Sequence, residues 1–127
     1  MPREFQRSDR VADAIQRSLA QAIPREVRDP RVGMVNINSV DVPRDLSQAK
    51  VYVTFVGASG DAESEAAVKV LNNAASYLRN FIARDIRMRT IPRIEFHYDR
   101  VAVQGQALSN LIDRAIAADA KDADREH

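Results

Sequence analysis

Apolar residues in this chain recur first at helical spacing, then alternately, then helically, then alternately again, and helically at the end. This switching of period is what most limits the folds open to it. Val11, Ile15, Leu19 and Ala22 mark one face of a first helix, with Ser8 placed as its N-cap and Asp13 and Arg17 as a favourable i,i+4 pair. Pro24 cannot donate to the preceding turn and disfavours helix at Ile23, so the helix is predicted to end or kink near Ile23. After an Asp29-Pro30 turn, residues 34–42 and 50–56 read as two strands joined by residues 43–48. The apolar parity changes between Val35/Ile37 and Val40/Val42, which predicts a bulge or twist near Asn38.

Beyond Gly57-Ala58-Ser59-Gly60, a second helix starts among Asp61 to Ser64 and carries Ala66, Val68, Val70 and Leu71; a third carries Leu78, Phe81, Ile82 and Ile86 to about Arg89. As one rod, this run would exceed the roughly 8 to 20 residues of an ordinary helix. Asn72, Asn73 and Ser76 are its weakest helix formers, so a kink is expected over residues 73–76. Pro92 stops the third helix, and Ile94, Phe96 and Tyr98 alternate with Glu95, His97 and Asp99 as a third strand. Leu108, Leu111, Ile112, Ala115 and Ile116 form the stripe of a last helix, expected to pack on the outside, and residues 118–127 are expected to be a charged, disordered tail.

A chain of 127 residues accommodates one domain, placed over residues 1–117 as a two-layer α+β fold. Its order, α-β-β-α-kink-α-β plus a C-terminal helix, is that of a K-homology domain of the second type, a nucleic-acid-binding module whose GXXG loop clamps a backbone between two helices. The literal Gly57 to Gly60 match lies between a strand and a helix, where an ordinary turn is expected. The helix junction itself is Ala74-Ala75-Ser76. Without glycine it cannot bring its backbone against phosphates as a glycine loop does.

The absence of cysteine excludes disulfides, thiol nucleophiles and Cys-ligated metals, and with two histidines no cofactor is expected. No run approaches the roughly 20 apolar residues of a membrane span, and the N-terminus is polar, so a cytoplasmic chain that avoids membranes is expected. The net charge of +1 hides an asymmetry: residues 1–31 hold seven Arg against five acids and residues 79–100 six against three, whereas residues 113–127 hold three bases and five acids. Sixteen of the nineteen basic residues are Arg, whose planar fork suits phosphate. Ser76, Arg79, Asn80, Ala83, Arg84 and Arg87 share one stripe of the third helix, opposite Leu78, Phe81, Ile82 and Ile86, where three arginines could each neutralise a phosphate or simply be solvated. Glu95, His97 and Asp99 share a strand face that could suggest acid–base or metal chemistry. With one His and no nucleophile nearby, a solvated sheet face is the better account.

The chain resembles the ribosome-binding factor A family from about Arg7 to Ile112. The resemblance rests on Arg10-Val11-Ala12, Glu26-Val27-Arg28-Asp29-Pro30-Arg31, Arg44-Asp45-Leu46-Ser47-Gln48-Ala49-Lys50-Val51-Tyr52-Val53, and Arg87-Met88-Arg89 followed by Pro92, Phe96 and Asp99. The family is similar to a K-homology domain in which an Ala-x-Gly kink replaces the loop, and Ala74, Ala75 and Ser76 occupy those positions here, with Ser in place of Gly. A serine can still bend a helix by bonding back to the preceding turn.

What the resemblance implies is a non-enzymatic, monomeric factor that binds free 30S subunits or their precursors. It would contact 16S rRNA, assist late maturation and rRNA processing with a role in cold adaptation, and depart with help from a ribosome-assembly GTPase. Arg7, Arg10, Arg44 and Arg89 then join Ser76, Arg79, Asn80, Arg84 and Arg87 as RNA-binding candidates. The alternatives are a generic K-homology-like RNA binder and a protein-interaction module not dedicated to the ribosome.

Overall fold

A computed structural model describes residues 7–57 and 60–125 of the chain. Its centre is the strand β2 (Gln48–Val56), which pairs antiparallel with β1 (Met34–Asp41) and parallel with β3 (Arg93–Tyr98) in the sheet order β1-β2-β3. The antiparallel pair needs only a short turn. The parallel pair needs a crossover, which α2 (Asp61–Asn73) and α3 (Ala75–Ile86) supply. With α1 (Arg7–Glu26), these helices form one layer and the sheet the other, a mixed α+β fold.

Alternation in the strands decides which face meets the helices. Ala49, Val51 and Val53 are fully buried while Lys50 is exposed and Tyr52 and Thr54 half-buried, and Ile94 and Phe96 follow the same rule on β3. The helices answer with Ile15, Leu19 and Ala22, with Leu71, and with Leu78 and Ile82, all at 0% exposure. The predicted bulge is present: the register of β1 on β2 slips between Ile37 and Ser39, so that Val35 and Ile37 on one side of it and Val40 on the other all pack against the core. The Ile37 carbonyl beside the bulge accepts a bond from Gln16 Nε2 at 3.0 Å, which ties α1 to the sheet.

Several boundaries differ from expectation. Ser8 is buried within α1 rather than capping it. Pro24 does not end α1 near Ile23: the helix runs to Glu26, with the Val27 N–H bonded to the Ile23 carbonyl at 3.0 Å. The carbonyl that Pro24 deprives of a partner, that of Ala20, belongs to an exposed residue open to water, while burial of Ala22 and Ile23 holds the last turn. The helix after β2 is interrupted at one residue, Ala74, whose φ of −91° and ψ of −1° lie at the margin of the right-handed helical region. α3 ends at Ile86 rather than near Arg89, because Arg87 turns left-handed (φ 58°, ψ 43°).

The last helix departs most. α4 (Arg100–Arg125) begins on an Asp99 cap, whose Oδ1 accepts the Ala102 N–H at 3.0 Å, and Arg100 binds Glu65 at 2.6 Å. Residues 104–119 are then exposed throughout, including Leu111 at 62% and Ile116 at 63%. The stripe does not pack on the outside of the domain, and its apolar residues stay half exposed or more. α4 is also helical from residue 118 to Arg125, where a disordered tail is expected, since residues of ordinary helix propensity continue a helix already nucleated.

Between α1 and β1, Asp29 folds the chain around itself. Its carboxylate accepts the Arg31 N–H at 2.9 Å and the guanidinium at 3.0 and 2.6 Å. These bonds from Arg31 hold the Asp29 carboxyl down at about 2. A lowered folded value stabilises the fold above the unfolded value of roughly 3.9, and that contribution fades as pH falls through about 2. Carbon-detected NMR titration should find the Asp29 midpoint near 2, and Arg31→Ala should return it to the ordinary carboxylate range.

Two substitutions separate the core from α4. Leu78→Ala should cost about 2 to 5 kcal/mol in urea unfolding, whereas Ile116→Asp, on an exposed stripe, should change stability by about 0.5 kcal/mol or less.

Candidate nucleic-acid interface

The α2–α3 junction stands over the outer edge of β3, and the two are sewn together by one side chain. Asn72, in the last turn of α2, accepts the Phe96 N–H on Oδ1 at 2.8 Å and donates from Nδ2 to the Phe96 carbonyl at 3.0 Å. Beside it opens a cleft of about 610 Å³ lined by Asn72, Ala75, Ser76, Arg79, Arg93, Ile94 and Glu95. Ala74 and Ala75 are half-buried at the junction and Ser76 is exposed at the mouth of the cleft. The start of α3 is further held by Tyr77, whose hydroxyl donates to Glu26 at 2.8 Å, and that carboxylate raises the phenol above its ordinary value.

The arginines expected to act as one stripe divide into three kinds. Arg79 is committed to the fold: its Nε and Nη2 donate to the Ile91 carbonyl at 3.1 and 2.8 Å, which clasps the segment between α3 and β3. Ile91 and Pro92 are buried under that clasp. Arg84 is exposed on α3, with its guanidinium 5.9 Å from the centre of the Phe81 ring, as a cation over an aromatic face. Arg87 leaves the stripe altogether, since its left-handed backbone aims the chain off the helix axis, and Arg89 follows it in the exposed loop. Asn80 is exposed on α3. Arg7 and Arg10 are exposed on the first turns of α1, and Arg44 is exposed in the turn before β2.

Other sequence features take ordinary roles. Gly57 and Gly60 bracket the β2–α2 turn with φ of 80° and 95°, a turn whose residues 58 and 59 lie outside those described. On the open sheet face, His97 Nε2 lies 2.6 Å from Glu95 Oε1, Gln48 bonds the other Glu95 oxygen, and the His97 ring stacks on Tyr52 at 5.6 Å. Asp99 is spent on the α4 cap and on Asn38 at 3.1 Å. Among the described residues no cluster of three or more His, Asp or Glu could hold a metal, and no helix is long and apolar enough to cross a membrane. Asn72 and Arg93 were legible in sequence only as a weak helix former and a strand-end charge. Nothing in their spacing signals that they face one cleft.

The sequence matches the family model for ribosome-binding factor A over residues 7–112. It is 73% identical over 119 residues to ribosome-binding factor A of Saccharophagus degradans, covering 94% of this chain and 93% of that protein. The crystal structure of ribosome-binding factor A from Thermus thermophilus superposes with a TM-score of 0.63 at 29% identity, over 75% of this chain and 99% of the other. A homology model of the Thermus thermophilus factor, fitted into an electron cryo-microscopy map of its complex with the 30S subunit, matches with a TM-score of 0.59 at 31% identity, over 70% of this chain and 91% of that one.

The division among arginines sets different outcomes for each. Arg79→Ala should lower stability by about 1.5 to 3 kcal/mol, the cost of losing a charged donor pair on a carbonyl, while Arg84→Ala should lose no more than about 1 kcal/mol. Arg87→Gly should fold at least as stably as the parent, because it relieves a left-handed residue. Urea unfolding checks all three.

Proposed function

The chain belongs to the ribosome-binding factor A family, and from that membership we propose that it binds the immature small (30S) ribosomal subunit through its 16S rRNA. It assists late maturation there, including rRNA processing, without catalysing a reaction. The observation that carries this is the match over residues 7–112, joined to a relative whose name and setting are a complex with the 30S subunit. The parallel β2–β3 pair and the break at Ala74 are compatible with a K-homology-like domain of the second type in which Ala74-Ala75-Ser76 stands where the glycine loop would be. On this reading residues 1–117 are the RNA-binding domain of a cytoplasmic monomer, and a ribosome-assembly GTPase acts at release.

The RNA-facing side chains are then Arg84, Arg87 and Arg89 with Asn80 and Ser76. Arg7, Arg10 and Arg44 are outlying contacts, and Arg79 shapes the surface rather than pairing with phosphate. Exposed guanidiniums on one region supply affinity without reading sequence, so binding weakens as salt rises.

On a sucrose gradient of lysate the protein should migrate with free small subunits and be absent from translating ribosomes. A deletion strain should accumulate precursor 16S rRNA and grow worst in the cold, where misfolded RNA escapes slowly. Migration only at the top of the gradient, or normal precursor levels at low temperature, would refute the proposal.

A further inference from the structure

β1 is an edge of the sheet, with β2 on one side and α1 packed against it. The Asp99 N–H bonds the Val53 carbonyl at 2.9 Å, so odd-numbered residues of β2 face β3 and even-numbered ones face β1. Met34 and Asn36, in register with Val56 and Thr54, therefore bond to β2, and Val35 and Ile37 turn their N–H and C=O outward. The Ile37 carbonyl is taken by the Gln16 carboxamide at 3.0 Å. At Val35 no hydrogen bond among the described residues reaches either outward group. An unpaired strand edge of this kind is a template for one more strand.

Beside Val35 lies an apolar groove of about 380 Å³ between α1 and β1, with Leu19, Ile23 and Val27 along it and Met34, 68% exposed, at its rim. Pro24 has no N–H to give the Ala20 carbonyl. Both residues line the groove, so an acceptor without its helical donor stands in the wall across from the strand edge. An extended peptide meets both demands, since its main chain bonds the edge while alternate side chains enter the apolar floor. A docked helix satisfies its own backbone and leaves Val35 unpaired, so the exposed stripe of α4 from a second copy is the poorer fit. Charge selects the kind of peptide. Arg17 shares a helical stripe with Ala20 and Pro24, at i, i+3 and i+7, and Arg28 directly follows Val27. Both arginines are exposed, and among the described residues neither forms an ion pair, Arg17 not even with Asp13.

We propose that the α1–β1 groove docks an extended acidic segment of a partner protein. The segment adds as a strand to β1 at Val35, sets apolar side chains on Leu19, Ile23 and Val27, and turns carboxylates to Arg17 and Arg28. This site goes beyond the RNA-binding function proposed above and does not depend on it. β1 and β3 are opposite edges of the sheet, so the segment and an RNA beside β3 do not compete for one surface.

The test titrates the full nitrogen-15-labelled chain with a capped hexapeptide of alternating valine and glutamate. The Val35 amide should shift and its hydrogen exchange slow by about tenfold, while exchange at Asn36, already in the ladder, stays as it was. A fully N-methylated peptide, which cannot pair as a strand, should give no response, and lysine in place of glutamate should weaken binding by about tenfold or more. Ala20→Glu, at an exposed position in the groove wall, should weaken binding by about tenfold with an unchanged melting temperature. A Val35 amide that stays put at millimolar peptide, responds equally to the N-methylated peptide, or prefers the lysine version overturns the proposal. So does a stronger response to a peptide of residues 104–119 of this chain, which makes α4 of a second copy the occupant. Co-migration with small subunits reads the ribosomal function separately, so the failure of either leaves the other standing.

Discussion

The carboxamide of Asn72 on the Phe96 backbone is the interaction from which the rest of this domain's working surface follows. It joins the end of a crossover helix to an edge strand, and so fixes how far the α2–α3 junction stands from the sheet. Because Phe96 is also a core side chain, the same residue is gripped from both sides: its ring by the buried helical faces, its backbone by Asn72. A strand held in this way cannot slide, so Ile91 and Pro92 on one side and Asp99 on the other take set positions. The edge is protected from strand addition at one residue without being covered at the next.

A second constraint acts on charge. Arginines sparse in lysine company look interchangeable in a sequence, yet the fold spends Arg79 on a carbonyl and Arg100 on Glu65 and Asp61, with its guanidinium also 5.6 Å from the Tyr98 ring centre. What remains exposed, chiefly Arg84, Arg87, Arg89 and Arg93, is grouped where α3 hands over to β3. Holding Arg87 at a positive φ costs backbone energy that glycine would avoid.

Element type and order were legible in the sequence because they follow from local period: the strand at residues 50–56, the helix faces around Leu19 and Ile82, and even the bulge at Asn38 through its change of parity. Ends and partners were less so. Pro24 is a strong local signal against helix, but the burial of Ala22 and Ile23 outweighed it. The stripe on the third helix gave residues of one face correctly, yet its period could not show that Arg87 turns left-handed or that Arg79 reaches across to Ile91. Asn72 and Arg93 were invisible as a site, since they are brought together by a parallel crossover rather than by spacing.

The cap at Asp99 has one further consequence. It anchors the first turn of a helix that is about 39 Å long at 1.5 Å per residue and then leaves the domain without side support. Such a molecule holds two melting units. The α+β body unfolds as one cooperative step, while the outer turns of α4 follow helix–coil behaviour and loosen gradually from the free end towards the cap. Far-ultraviolet circular dichroism would then lose amplitude along a sloping baseline well before the core gives way, and the chain would tumble as a body with a rod attached rather than as a sphere.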